Sequence, residues 1–172
     1  CRRLVEAVES SGLVYMMAEN YCFTRQNMMV QNMVERGVFG HPVYAEGAYI
    51  HDCRPLMFTE TGELTWRGRL RTGPNRNTYP THSLGPVALW LGVNRTDRLK
   101  TVSNFMTPSV SPRRYAERRF GPDHPIARDP SAIAIGDSAT TVIQTERGAV
   151  IVLRVDWASA RPHNMHHYVL QG

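Results

Sequence analysis

Lysine is almost absent from this chain of 172 residues: Lys100 stands alone against nineteen arginines. Cysteine is scarce, and Cys1, Cys22 and Cys53 are an odd number with no C-x-x-C spacing. Neither a disulfide framework nor a zinc ribbon is supported, and reduced thiols are expected. No apolar run nears the roughly 20 residues that cross a bilayer. The longest, such as Ala149-Val150-Ile151-Val152-Leu153, are strand-sized. Cys1-Arg2-Arg3 runs straight into an amphipathic helix pattern rather than a secretory signal, so cytoplasmic localisation is the default expectation. G-x-S-x-G, the P-loop and G-x-G-x-x-G are all missing, which removes the nucleophile elbow and both glycine-rich phosphate cradles.

What remains is globular material. Hydrophobic residues make up 42% and charged residues 20%, enough for one domain with its own core and too apolar for disorder. The net charge of +5 invites a nucleic-acid reading, because arginine forks match phosphates. The arginines are nevertheless spread along the chain with acidic residues near most of them. Only Arg113-Arg114 and Arg118-Arg119 cluster, around Tyr115 and Glu117, as one solvated helix face. Neither nucleic acid nor membrane is the expected partner.

Leu4, Val5 and Val8 recur at helical spacing until Ser10-Ser11-Gly12, so a helix is expected over Cys1–Ser11. Leu13–Ala18 reads as a buried strand, and a second helix starts near Thr24 and stops at Gly37. Val43–Ile50 has strand chemistry. Asp52–Thr78 is broken by glycine, proline and asparagine into a long irregular loop, with a turn of helix near Trp66. Thr81 or Ser83 can cap the next helix, with Pro86 tolerated in its first turn. Leu99–Met106 is a strand and Arg113–Arg119 a short helix. Thr140–Thr145, Ala149–Trp157 and His163–Leu170 are strands, the first two forming a hairpin across Glu146-Arg147-Gly148. The expected class is α+β: an open mixed or mostly antiparallel sheet of at least four strands with helices on one face. The uncapped opening in mid-helix reads as the downstream part of a longer protein.

Tyr79-Pro80-Thr81-His82 precedes the predicted helix. Free N–H groups at a helix start disfavour a protonated imidazole, which suits His82 as a general base with Tyr79 as partner or acid. A histidine packed beside its own helix fits the spacing equally. Tyr49 and His51 share one face of a strand that delivers both into the irregular loop. Arg67, Arg69, Arg71 and Arg76 lie in that loop, as ligand anchors or as solvated side chains. His163-Asn164-Met165-His166-His167 looks like a metal tract, but no cysteine or carboxylate completes a coordination set and no metal is expected. No two carboxylates stand out as the opposed pair of an ordinary glycosidase.

Three runs carry a resemblance: Met17-Ala18-Glu19-Asn20-Tyr21-Cys22 with Val38-Phe39-Gly40, then Ala45-Glu46-Gly47-Ala48-Tyr49-Ile50-His51-Asp52, then Trp66-Arg67 with Asn75-Arg76-Asn77-Thr78-Tyr79-Pro80-Thr81-His82-Ser83-Leu84-Gly85-Pro86. They resemble the Gfo/Idh/MocA oxidoreductases, and within them the branch of glycoside hydrolase family 109, the NAD-dependent α-N-acetylgalactosaminidases. The resemblance implies that residues 1–18 end an upstream Rossmann-like domain and that 19–172 form a substrate-binding and oligomerisation domain. NAD, or NADP, would be held mainly by the upstream domain, with Glu19 and Asn20 beside its nicotinamide half. Tyr49, His51, Arg67, Tyr79, Pro80, Thr81, His82 and His163 would bind a sugar or glycoside, with His82 and Tyr79 catalytic and the open sheet face forming a homo-oligomer. The implied reaction is hydride removal, proton removal by a histidine base, elimination and water addition. Arg161-Pro162-His163 departs from the Arg-Pro-Tyr of the glycosidases, so plain sugar or polyol oxidation stands as the alternative, and from another class a non-catalytic sheet module. This chain alone, lacking the glycine turn, is expected to bind NAD weakly and to be inactive.

Overall fold

The computed structural model describes residues 2–172. Helix α1 (Arg2–Ser11) is followed by an extended stretch and a 3-10 turn at Asn20–Phe23. Then come α2 (Arg25–Glu35), β1 (Tyr44–Ile50), a 3-10 turn at Pro55–Met57, α3 (Trp66–Leu70) and α4 (Thr81–Trp90). The second half runs β2 (Leu99–Met106), α5 (Ser111–Phe120), α6 (Pro125–Arg128), β3 (Ser138–Thr145), β4 (Val150–Asp156) and β5 (Asn164–Gln171). Five strands form one open sheet in the order β2-β3-β4-β1-β5. Only β1 and β4 run parallel; the other pairings are antiparallel. The expected α+β class with a mixed sheet is what the chain adopts.

Strand alternation decides the two faces. Ala139, Thr141, Ile143 and Thr145 of β3 are buried while Thr140, Val142 and Gln144 are exposed. Ile151, Leu153 and Val155 of β4 continue the buried face, and α4 lies on it, with Val87 and Trp90 packed against Ala45, Ile143 and Ile151. Helix and strand come very close at one point: a Cβ on Gly47 would fall 2.1 Å from the Ser83 carbonyl oxygen. Farther along the same face, Ala116 of α5 and Ile126 of α6 pack with Met57, Phe58, Ala139, Val155 and Trp157. Each large side chain buried there contributes about 1.5–3 kcal/mol.

Two expectations are corrected. Leu13–Ala18 forms no strand; Leu13, Val14 and Met16 are 72%, 97% and 72% exposed. An apolar run becomes a strand only where a neighbour's backbone pairs with it, and none of the described strands does so. Helix α1 likewise buries no residue; of the helix expected over Cys1–Ser11, Cys1 lies outside the described residues. Second, the helix begins at Thr81 with Pro80 in the cap position, so Pro86 falls in its second turn rather than its first.

The long loop is irregular but not loose. Thr65 caps α3, accepting from the Gly68 N–H, and its own N–H bonds to the Met57 carbonyl. Buried Arg71 donates to the carbonyls of Ile135 and Gly136, while Asn75 Oδ1 accepts from the Gly136 N–H at 3.0 Å. Among the described residues no helix is long and apolar enough to cross a membrane.

Candidate functional site

The site lies at the start of α4, where three segments meet. The 3-10 turn after Glu19 delivers a buried carboxylate and the buried Tyr21; the end of β1 delivers Tyr49 and His51; the end of the long loop delivers Tyr79 and His82. Glu19 accepts the Tyr21 N–H at 3.1 Å and stands 2.5 Å from His82 Nδ1. Burial pushes the Glu19 carboxyl up, but hydrogen bonds from His82, the Tyr21 N–H and Thr81 outweigh it and hold the group below the ordinary carboxylate range. An ionised Glu19 accepts the proton on His82 Nδ1. The lone pair of Nε2 is then left free to take another, the arrangement a general base needs.

Aromatic side chains surround this pair. The His82 ring centroid lies 4.3 Å from Tyr21, 5.1 Å from Tyr49 and 5.2 Å from Tyr79, and Tyr79 rests on Trp157 at 4.9 Å. Burial raises the Tyr49 phenol well above its ordinary value, so Tyr49 keeps its proton. It donates that proton to His51 Nδ1 at 2.7 Å. Burial first, then the nearby His163 and Arg67, lower the proton affinity of His51. A neutral His51 accepting at Nδ1 carries its own proton on Nε2. The hydrogen-bond partners thus favour opposite tautomers on two imidazoles that both touch Tyr49, one held by a carboxylate and one by a phenol.

Tyr49, His51, Tyr79 and His82 therefore meet, and His163 joins them edge-on to His51 at 4.2 Å between centroids. Thr81 reaches Glu19. Pro80 occupies the cap position of α4 and accepts the Leu84 N–H. Arg67 stacks over Trp66 at 4.2 Å and reaches the site through its charge on His51. Asn20 is exposed at the margin. Of the other loop arginines, Arg71 is structural and Arg69 donates to the Leu64 carbonyl.

The histidine tract is divided by the strand. His166 faces the site and stacks on Tyr21 at 5.0 Å, while His167 lies on the opposite face, 3.5 Å from Glu46. Among the described residues no three His, Cys, Asp or Glu side chains gather to hold a metal. Sequence reasoning missed Tyr21, His166 and Trp157 as members of the site. Tyr21 stands two residues after Glu19, a spacing that could have flagged it; nothing local marked the other two. No described helix start carries a glycine-rich turn for a pyrophosphate, and this domain alone shows no cofactor site.

Residues 23–172 match the family described as glycosyl hydrolase 109, C-terminal domain. A glycosyl hydrolase family 109 protein of Shewanella woodyi is 35% identical over 170 residues, covering 98% of this chain and 36% of the relative. The chain thus spans about a third of the length of the curated relatives it matches. Among solved structures, an inositol dehydrogenase homolog of Azotobacter vinelandii complexed with NADH and myo-inositol has a TM-score of 0.64 at 16% identity, over 94% of this chain and 36% of that one. A levoglucosan dehydrogenase complexed with NADH and levoglucosan has a TM-score of 0.67 at 18% identity, over 99% and 41%. These likenesses show a shared fold.

Proposed function

The chain belongs to the glycosyl hydrolase 109 family as its C-terminal domain, and from that premise we propose that it is the sugar-binding half of an NAD-dependent sugar-processing enzyme. A Rossmann-like domain ending near residue 18 would hold most of the cofactor. The exposed apolar stretch Leu13–Met17 supports this division, since such a run needs a surface to cover it. When bound, the cofactor would accept and return a hydride at the sugar ring.

The chain's own residues do the rest. Tyr49, His51, Arg67, Tyr79, Thr81 and His163 supply hydrogen bonds around one ring, and Pro80 shapes its edge. His82 Nε2 takes the proton from a ring carbon whose C–H is acidified by an adjacent carbonyl, and the Glu19 carboxylate steadies the imidazolium that forms. Tyr79 protonates the leaving oxygen. The observation that carries this reading is the buried Glu19–His82 pair inside a wall of three tyrosines. Such an enzyme needs no opposed carboxylates, and the two near the rings are committed: Glu19 to His82, and Asp52 to Arg54 through two 2.8 Å bonds.

Oxidation without bond cleavage is the second reading, favoured by His163, an exposed imidazole against His51 where the glycosidase pattern has tyrosine. The open sheet face, with Thr140, Val142 and Arg154 uncovered, would pair with a second copy, to be tested by sedimentation. The deciding experiment incubates the natural full-length protein with an α-N-acetylgalactosaminide in deuterated water. Released sugar carrying deuterium at one ring carbon is expected. A keto sugar with stoichiometric NADH selects the second reading, and neither product overturns both.

A further inference from the structure

We propose that Tyr168 is a positioning residue for His82, supplying from β5 the hydrogen bond that Pro86 removes from α4. In an α-helix the carbonyl of residue 82 accepts the N–H of residue 86. Residue 86 is a proline inside the helix and fully buried, so that donor does not exist and the His82 carbonyl is orphaned within its own helix. The Tyr168 hydroxyl fills the place, donating to the His82 carbonyl oxygen at 2.7 Å across 86 residues of chain. The two residues are complementary: one element withholds a donor, and another, from a distant strand, delivers one.

The bond reaches the site because it fixes the first turn of α4. That turn carries both Thr81 and His82, the two side chains that hydrogen-bond Glu19. The Tyr168 ring is itself locked edge-on against Trp90 at 5.6 Å. Trp90 Nε1 donates to the Asn27 carbonyl at 3.1 Å, and Asn27 Nδ2 donates to the Tyr21 carbonyl at 2.7 Å. Strand β5, α2, α4 and the 3-10 turn thus fix one hydrogen-bonded frame behind the Glu19–His82 pair. Packing alone would be served by phenylalanine, whereas the hydroxyl donates to the His82 carbonyl and also meets the Asn27 side chain of the same frame.

The functional consequence rests on the proposed role of His82; the positioning itself does not. The test compares Y168F, P86A and the double variant P86A/Y168F, because P86A restores an N–H at position 86. In this chain, with carboxyl carbons labelled, Y168F is expected to raise the NMR titration midpoint of Glu19 by about half a pH unit or more, as its donors loosen. In the P86A background the same change should leave the midpoint nearly still. In the natural full-length protein Y168F should lower kcat by about 10- to 100-fold with little change in KM, and P86A should remove most of that loss. An unmoved Glu19 midpoint in Y168F, or an equal shift with and without P86A, overturns the proposal. If the full-length protein turns over no sugar, the reading of His82 fails while the titration still decides the role of Tyr168.

Discussion

The two ends of α4 differ in a way that volume does not register. Its C-terminal end opens on a cleft of about 420 Å³ lined by Gln31, Glu35, His41, Arg95, Asp97 and Arg147. Opposite charges stand there at arm's length: Arg95 and Glu35 are 3.9 Å apart and 67% and 56% exposed. Its N-terminal end crowds three tyrosine rings within about 5 Å of one imidazole, over a carboxylate 7% exposed. An exposed ion pair marks one end and a buried carboxylate against an imidazole the other. Burial with specific partners shifts proton affinities, whereas an exposed ion pair is largely screened by water.

The largest expected effect breaks this symmetry at the crowded end. H82A in the natural full-length protein should lower turnover by about 10²- to 10⁴-fold, the worth of a positioned base, while sugar affinity measured by calorimetry stays close to wild type. E35A at the far end should change turnover by less than about twofold. Comparable losses at both ends would mean that the helix as a whole, not its N-terminal cluster, carries the activity.

Next in size is a packing test. Gly47 has no room for a Cβ, because the Ser83 backbone lies over it. G47A should cost about 1–3 kcal/mol in urea unfolding by lifting α4 off β1, and the Glu19–His82 contact should loosen with it. G148A gives the contrast. A Cβ there meets nothing within 4 Å, though its φ of 94° strains any side chain, so its cost, about 1 kcal/mol, is local to the hairpin and leaves the site intact.

The sequence revealed these regions unequally, for physical reasons. Strand composition located β1, β2 and the β3–β4 hairpin closely, and in β3 burial of one face enforces the alternation. The same periodicity misread Leu13–Ala18, where apolar composition is local but a pairing partner is not. Tyr49 and His51 were legible as a pair because period two placed them together. Their meeting with Tyr79 and His82 depends on α4 crossing β1, which no spacing encodes. The long loop hid most. Its order comes from Arg71 and Asn75 bonding to residues more than sixty positions away, and a glycine- and asparagine-rich text gives no sign of such anchors. A predicted helix start already singled out His82; family resemblance supplied what spacing could not, namely that it shares one cleft with Tyr49 and His51.

Acid titration sharpens the comparison further. Glu19 binds its proton more weakly folded than unfolded. Its stabilising contribution is therefore present at neutral pH and disappears as pH falls through the lowered folded value. His51, also lowered, favours the neutral ring, so its contribution is full above the unfolded value of 6.5 and is lost as pH falls below it. Thermal unfolding followed downward from pH 7 should fall in two stages. E19Q should shrink only the lower one, to which the likewise lowered Asp52 and Asp97 also contribute, and H51F should remove only the upper. A single stage unaffected by E19Q would mean the carboxylate is not held as its contacts imply.

The smallest effect is expected at the open end, and its smallness is the point. R95A removes the cation from an ion pair at 3.9 Å whose two side chains are mostly in water. At that distance and exposure the Coulomb gain is screened and is spent on holding two long side chains still, leaving at most about 0.5 kcal/mol. The neighbouring Asp97 does not depend on Arg95, since it accepts the backbone N–H groups of Arg98 at 2.8 Å and Arg147 at 3.1 Å. R95A should therefore leave the urea midpoint within error and lose even its slight effect in molar salt, with turnover unchanged. A loss above about 1 kcal/mol, or one that persists in molar salt, would show that the cleft holds its charges in a low-dielectric arrangement after all. The contrast between the two ends of α4 would then be one of degree, and this cleft would have to be counted among the places where this domain binds something.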